Sequence, residues 1–266
     1  MKKTILLAVF LLLFTTAAHA QGLPAASNAP VEISAKKSLE WNRRNRTYTA
    51  REDVLARQGN FEMKCDVLTA TYDSKRGGTS ISQMVATGSV VLSSPPYTAF
   101  GDKAVYDVAG GTATLTGEGL KIRTETETLA ARDSIVFFSA ENRLTATGRA
   151  VATRGTDTLR ADILNAFFQK DSAGKMFLHR MTATGGVTVK TARETVYGDE
   201  GVYDVVAKKA VLTGKVRIQQ GESFLEGTRA EVDLTSGISQ LFASENMGTD
   251  GRVRGVFYPE DKKEQP

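Results

Sequence analysis

Internal repetition restricts the fold of this 266-residue chain more than any other feature. Six segments share one cadence: TAREDVLARQG from Thr49, VATGSVVLSSP from Val85, TLTGEGLKIRT from Thr114, TATGRAVATRG from Thr145, TATGGVTVKTA from Thr182 and VLTGKVRIQQG from Val211. The common form is apolar-small-Thr-Gly followed by an alternating strand. The anchor positions are Glu52, Gly88, Gly117, Gly148, Gly185 and Gly214, spaced by 36, 29, 31, 37 and 29 residues. A second marker follows: Asp66, Asp102, Asp133, Asp162, Asp199 and, in the last slot, Thr228. The anchor-to-marker distance is 14 residues in five units and 16 in the third. Two markers in fixed phase describe a stacked array of small structural units.

The units also pair at a higher level. GDKAVYDVAGGTATLTG, from Gly101 to Gly117, returns as GDEGVYDVVAKKAVLTG, from Gly198 to Gly214, with ten of 17 positions identical at an offset of 97. We read a tandem duplication of a three-unit block.

Within a unit the apolar period is two. Leu212, Gly214, Val216 and Ile218 share one face, and Lys215, Arg217 and Gln219 the other. That is the pattern of half-buried strands. Arg160 to Lys170 is the one weak helical candidate, and its repeat-mates are strand-like. Each unit therefore predicts two antiparallel strands, and a fold made of six two-strand repeats. One strand spacing of ~4.8 Å per unit gives a body ~30 Å long per face. Interior glycines at one phase predict a repeated bend, and the departure at Glu52 suits a capping unit. Many inward positions are small: Ala86, Gly88, Gly148, Ala150, Gly185 and Gly201. Two opposed sheets so lined leave either a lumen or a dry sandwich core. Periodicity alone does not choose between them.

The ends carry different signals. Met1-Lys2-Lys3, the apolar run Ile5 to Phe14 and Ala18-His19-Ala20 form a secretory signal peptide over residues 1–20. Residues 21–29 read as a linker, 30–259 as the repeat body and 260–266 as a polar, disordered tail. Loss of Lys2 and Lys3 lowers the formal charge from +4 to +2, which gives no argument for nucleic acid. Trp41 to Asn45 reads as a turn, and Arg252 to Tyr258 as a last alternating strand.

The inventory of chemistry is thin. With a single cysteine, Cys65, no intrachain disulfide forms, and with His179 the one histidine after the leader there is no Cys/His metal cluster. The repeated aspartates and Tyr106 and Tyr203 read as architecture, since a catalytic pair would break the repeat. The expectation is no enzyme, no catalytic residue, no metal and no cofactor. The competing class is a structural β-solenoid of the adhesin type, with a solid core and no lipid uptake.

The runs PVEISAKKSLEW, TYTAREDVLARQGNFEMKCDVLTATYD and AVLTGKVRIQQGESFLEGTRAEV, with the ending GRVRGVFYPEDKK, resemble the OstA-like (LptA) family of lipopolysaccharide transport proteins. The resemblance spans Pro30 to Lys263, and order and phase make it specific. It implies an all-β, elongated antiparallel β-jellyroll: a taco-shaped pair of sheets with a V-shaped opening. It implies a periplasmic protein that binds lipopolysaccharide through the acyl chains of lipid A and bridges the two membranes. An LptC-like inner-membrane protein would dock at the N-terminal edge and the LptD/LptE translocon at the C-terminal edge, with head-to-tail copies between. The groove residues would be Val31, Ile33, Val54, Val90, Leu92, Val187, Val216 and Ile218. The docking edges would be Val31 with Ile33, and Val253, Val256 and Tyr258. The 97-residue duplication lengthens the body relative to compact members.

Overall fold

The computed structural model describes residues 30–73, 80–174, 176–233, 235–243 and 252–258. The leader, the linker from 21 to 29, the turn at Arg76-Gly77-Gly78 and the tail from 260 lie outside the described residues. The described residues form eighteen strands and no helix. They are β1 (Glu32–Ser34), β2 (Ser38–Asn42), β3 (Thr47–Gln58), β4 (Phe61–Asp73), β5 (Ser80–Ser94) and β6 (Tyr97–Asp107). The middle holds β7 (Thr112–Thr116), β8 (Lys121–Arg123), β9 (Glu127–Ala130), β10 (Ser134–Phe138), β11 (Arg143–Arg154) and β12 (Asp157–Lys170). The rest are β13 (Met176–Lys190), β14 (Thr195–Asp204), β15 (Lys209–Gln220), β16 (Ser223–Asp233), β17 (Ile238–Phe242) and β18 (Arg254–Val256). Arg160 to Lys170 is strand, and the turn after β2 runs from Arg43 to Arg46.

Every pairing is antiparallel, and each long strand pairs with the next in sequence. Each ladder breaks near its middle, for instance between Thr87 and Val90 on β5 and between Thr213 and Val216 on β15. At the break the chain turns a corner, so one strand contributes to two walls. Wall one is β2, the halves of the long strands nearest it, β7, β10 and β17. Wall two is β1, the other halves, β8, β9 and β18.

The corner is built by the repeat markers. Gly88 and Ser89 have φ of 79° and 46°, and Gly185 and Gly186 have 83° and 56°. Consecutive left-handed residues re-aim a strand, and glycine adopts them without a Cβ penalty. The marker aspartate of one strand sits over the anchor of the next: a Cβ on Gly185 would lie 2.5 Å from Asp162 Oδ2. At two corners the carboxylate also accepts a backbone N–H, from Glu118 to Asp102 at 2.7 Å and from Lys215 to Asp199 at 3.2 Å. Glu52 keeps the conformation without glycine, at φ 68°. No aspartate marker precedes it; the neighbouring segment supplies Lys36, whose N–H donates to the Glu52 carbonyl at 2.8 Å. The crowding that demands glycine is missing there.

Two expectations change. A bent strand adds a rung to both walls, so a two-strand unit adds two rungs to each wall rather than one. Each wall has fourteen rungs, for a length of ~60 Å at the usual strand spacing. The third unit is not two strands but four short ones, β7 to β10. Its two surplus residues fall one on each side of the corner and cut both strands there.

Candidate functional site

The inner faces of the walls carry two rows of directly opposed side chains. On wall one the row runs Leu39, Ala50, Leu68, Ala86, Ala104, Leu115 and Ile135. It continues through Ala146, Leu164, Ala183, Gly201, Leu212, Ala230 and Leu241. On wall two it runs Ile33, Ala56, Met63, Leu92, Ala99, Ile122 and Leu129. It continues through Ala152, Leu159, Val189, Val196, Ile218, Leu225 and Gly255. Neither row contains a polar side chain. The repeat dictates both. The wall-one residue lies two before each anchor and two after each marker. The wall-two residue lies four after the anchor and three before the marker, shifted by one in the third unit.

The two rows converge on the corner. Beside it lie Val54, Val90, Val187 and Val216, each 1% exposed. Both walls contribute to one apolar cluster there, so the walls touch at the bottom of the V. Farther out Met84, Leu92, Ala99, Ile122, Leu129, Leu144, Leu178 and Leu225 are half-buried. The seam thus opens from corner to mouth. Beyond the aliphatic row wall one continues apolar, with Trp41, Tyr48, Met84, Tyr106, Phe137 and Tyr203. Wall two turns polar at the same level, with Ser94, Tyr97, Thr124, Glu127, Arg154, Asp157, Thr191 and Glu194 along its lip.

Charge is confined to that lip. Arg154 Nε stands 3.9 Å from Glu127 Oε1. Burial raises the Glu127 carboxyl above its ordinary range, and Arg154 opposes this. Burial pushes the Glu194 carboxyl up to about 7, against the pull of Arg193. Cys65 points into the seam, 4% exposed, and burial, then the Asp66 charge, pushes its thiol up to about 11. It is a packing group at neutral pH. His179 Nδ1 lies 2.9 Å from the Phe167 carbonyl on the outer side of wall one. Among the described residues no group of acids, histidines and cysteine could hold a metal ion.

The expected groove residues fall at three levels. Val54, Val90, Val187 and Val216 line the corner. Leu92, Ile218 and Ile33 belong to the wall-two row. Val31 precedes β1 and is 52% exposed. Of the docking residues, Val256 sits on β18 opposite Phe224 and so faces outward, whereas Gly255 holds the inner position. The Tyr258 N–H donates to Ser223 Oγ at 3.0 Å, tying the end of the chain to wall two. Val253 and Tyr258 are exposed. Sequence reasoning places Ala86, Gly201 and Leu212 inward but does not assign them to a separate wall, though the wall-one row lies at a fixed offset from the markers. It also missed the second edge at each end, β2 and β17. Among the described residues eleven large apolar side chains are exposed, and eight of them sit at the two ends: Val31, Leu39 and Trp41 at one, Ile238, Phe242, Val253, Phe257 and Tyr258 at the other. Exposure concentrated at open sheet edges marks places where strands can be added.

Bent strands, two walls and an apolar seam running out at both edges define an OstA-like β-jellyroll. Residues 32–137 and 133–238 each match the family described as LptA/(LptD N-terminal domain) LPS transport protein. The chain belongs to this family, and its role lies in lipopolysaccharide transport. It is similar to a solved structure from Pseudomonas aeruginosa, LptH, the LptA homologous periplasmic component of the conserved lipopolysaccharide transport device. The identity is 13% and the TM-score 0.23, over 89% of this chain and 100% of that one. No curated protein matches the chain.

Proposed function

We propose that the seam carries the acyl chains of lipid A, and that the protein is a link in a periplasmic bridge between the membranes. The observation that supports this most is the pair of fourteen-rung aliphatic rows, uninterrupted from one sheet edge to the other. An acyl chain exposes apolar surface worth about 0.8 kcal/mol per CH₂. A dozen carbons therefore cost on the order of 10 kcal/mol in water. An apolar lining without a polar break offsets that cost along its whole length, so a bound chain can slide. Because the walls touch beside the corner, the chain lies farther out, between the half-buried residues, or parts the walls. A uniform track gives no direction, so net flow draws energy from a partner. The lipid's sugars emerge at the mouth, on the polar lip of wall two.

The ends of both rows lie on edge strands, Leu39 and Ile33 at one end and Leu241 and Gly255 at the other. Strand addition at an edge joins main-chain groups and aligns the rows of the partners. The first edge would receive an LptC-like inner-membrane protein, and the last edge the LptD/LptE translocon or another copy. The signal peptide over residues 1–20 delivers the protein to the periplasm.

The contact between walls favours a second reading, a structural β-solenoid that takes up no lipid. Incubating the purified protein with lipopolysaccharide and measuring co-elution separates the two. Stoichiometric co-elution is expected, and none from monomer or oligomer would leave the solenoid. Val31→Glu with Ile33→Glu should weaken docking to the inner-membrane partner while preserving the sheet signal in circular dichroism. Unchanged complex formation would refute the edge assignment.

A further inference from the structure

The outer faces of the two walls differ in charge. Wall one carries both signs. The middle of wall two does not. On the seven strand segments from β6 through β14 fourteen side chains point outward: four are cationic (Lys121, Arg123, Arg160 and Lys190), six are threonine and none is acidic. Elsewhere on this face cations are paired with carboxylates. Arg57 and Lys64 share Glu62 at 3.0 and 3.1 Å, and Arg217 and Arg254 share Glu226 at 2.7 and 3.6 Å. The duplication marks the contrast: the equivalent of the Glu62/Lys64 pair, 96 residues on, is Thr158 with Arg160. The marker aspartates Asp102, Asp133, Asp162 and Asp199 border this face along the corner; Asp133 pairs with Arg132 at 2.7 Å, and at the lip Glu127 faces Arg154 at 3.9 Å.

The platform has aromatic flanks and a recess. Lys121 and Arg123 lie 5.3 and 4.9 Å over the Phe100 ring at one end. Tyr197, 39% exposed, stands at the other. Beside Tyr197 is a polar hollow of about 250 Å³, lined by Thr191, Arg193, Glu194, Thr195 and Gln219 among others. The Glu194 side chain there is 7% exposed. The platform also borders the mouth of the seam. Arg123 immediately precedes lip residue Thr124, and Lys190 precedes Thr191. From the aliphatic row at Ala152 to the lip turn at Gly155 is three residues, ~10 Å.

We propose that the outer face of wall two, centred on Lys121, Arg123, Arg160 and Lys190, holds the phosphate-bearing core sugars that extend beyond lipid A in the lipid whose acyl chains lie in the seam. This rests on the lipid-carrying reading. A strand face whose outward side chains carry four cations and no acid favours an anionic ligand. A flat sheet with a row of hydroxyls and aromatic rings at its ends suits extended sugars. The lip places that face next to the point where the sugars leave the mouth, which favours a lipid-borne saccharide over a free one or a bilayer. The lipid drapes over wall two with its tail inside and its phosphates outside.

The test measures binding of the full chain to four probes: lipopolysaccharide with phosphorylated core sugars, lipid A alone, the free phosphorylated core oligosaccharide and phosphatidylglycerol vesicles. The variant replaces Lys121, Arg123, Arg160 and Lys190 by threonine. The control replaces Arg57 and Lys64, which share an ion pair with Glu62. Wild type should bind core-bearing lipopolysaccharide about tenfold more tightly than lipid A, and the fourfold variant should lose that advantage while holding lipid A as before. The control should keep it. An unchanged affinity of the variant for core-bearing lipopolysaccharide overturns the proposal. So does a free oligosaccharide that binds as tightly as the lipid, or vesicle binding that the variant abolishes. Lipid A lacks the core sugars that the platform would hold, so a wild type that fails to bind it defeats the carrier reading separately.

Discussion

The two copies of the three-unit block share corners but differ in how tightly the walls close. In the first copy Met84, Leu92, Ala99 and Tyr106 are half-buried on the inner face. Their equivalents 97 residues on are Met181, Val189, Val196 and Tyr203, at 4, 2, 1 and 3% exposure. Beside the corner there is no difference: Val90 and Val187 are both 1% exposed. The corner is therefore set by the repeat itself, whereas the width of the mouth is tuned copy by copy. In the carrier reading the first copy is the readier seat for an acyl chain, and the second must be opened.

If the corner is common property, breaking it should hurt both copies equally, and this is the largest effect expected. Gly88→Val and Gly185→Val each force a branched side chain into a left-handed backbone and against an aspartate. Each should cost about 3 kcal/mol or more in urea unfolding. A loss twice as large in one copy would show that the corners are not equivalent.

The mouth should separate the copies. Val189→Asn buries an amide with no partner and should cost about 3 kcal/mol. Leu92→Asn reaches water at the half-open mouth and should cost about half that. Lipid co-elution should show the reverse order, with Leu92→Asn the more harmful among molecules that remain folded. Equal stabilities for the two variants would erase the distinction between an open and a closed copy.

The lip sharpens the contrast through pH. Tyr97 of the first copy corresponds to Glu194 of the second. Burial raises the Glu194 carboxyl from 4.5 to about 7. Between those values the unfolded chain has released this proton and the folded chain has kept it. Stability therefore falls as pH rises through that window, and the penalty is complete above it. Glu194→Gln should be about 2 kcal/mol more stable than the parent at pH 8 and indistinguishable at pH 4. Urea titrations at the two values decide it. A benefit of equal size at both would trace to the amide's packing instead of the proton.

What the sequence disclosed and what it hid both follow from the bend. Glycine and aspartate in fixed phase announce a corner, because few other residues tolerate two left-handed positions under a carboxylate. The continuation into a second wall is silent. Leu212, Gly214, Val216 and Ile218 keep one period straight through the turn, so a bent strand reads like a straight one. That is why straight strands predict half the length, and why Ala86 and Gly201 read as small inward residues and not as part of a second lining. The third unit's inner face, Leu120 with Ile122, Leu129 and Ala131, became readable only once each strand was known to carry one surplus residue. The cationic platform has no local signature at all, since Lys121, Arg160 and Lys190 are brought together by strand order alone.

The smallest effect tests whether the aspartate caps differ as their geometry does. Asp102 accepts the Glu118 N–H at 2.7 Å in the first copy, and Asp199 the Lys215 N–H at 3.2 Å in the second. The bond to an ionised acceptor strengthens as it shortens. Both N–H groups lie near solvent, so water recovers part of the loss when the carboxylate is removed. Asp102→Ala should cost about 1.5 kcal/mol and Asp199→Ala about 0.5 kcal/mol. The corner glycines are untouched, so neither change should alter lipid binding. If Asp199→Ala proves the costlier, its carboxylate is holding the closed copy shut by more than this one hydrogen bond, and the tightness of the second mouth begins at the corner after all.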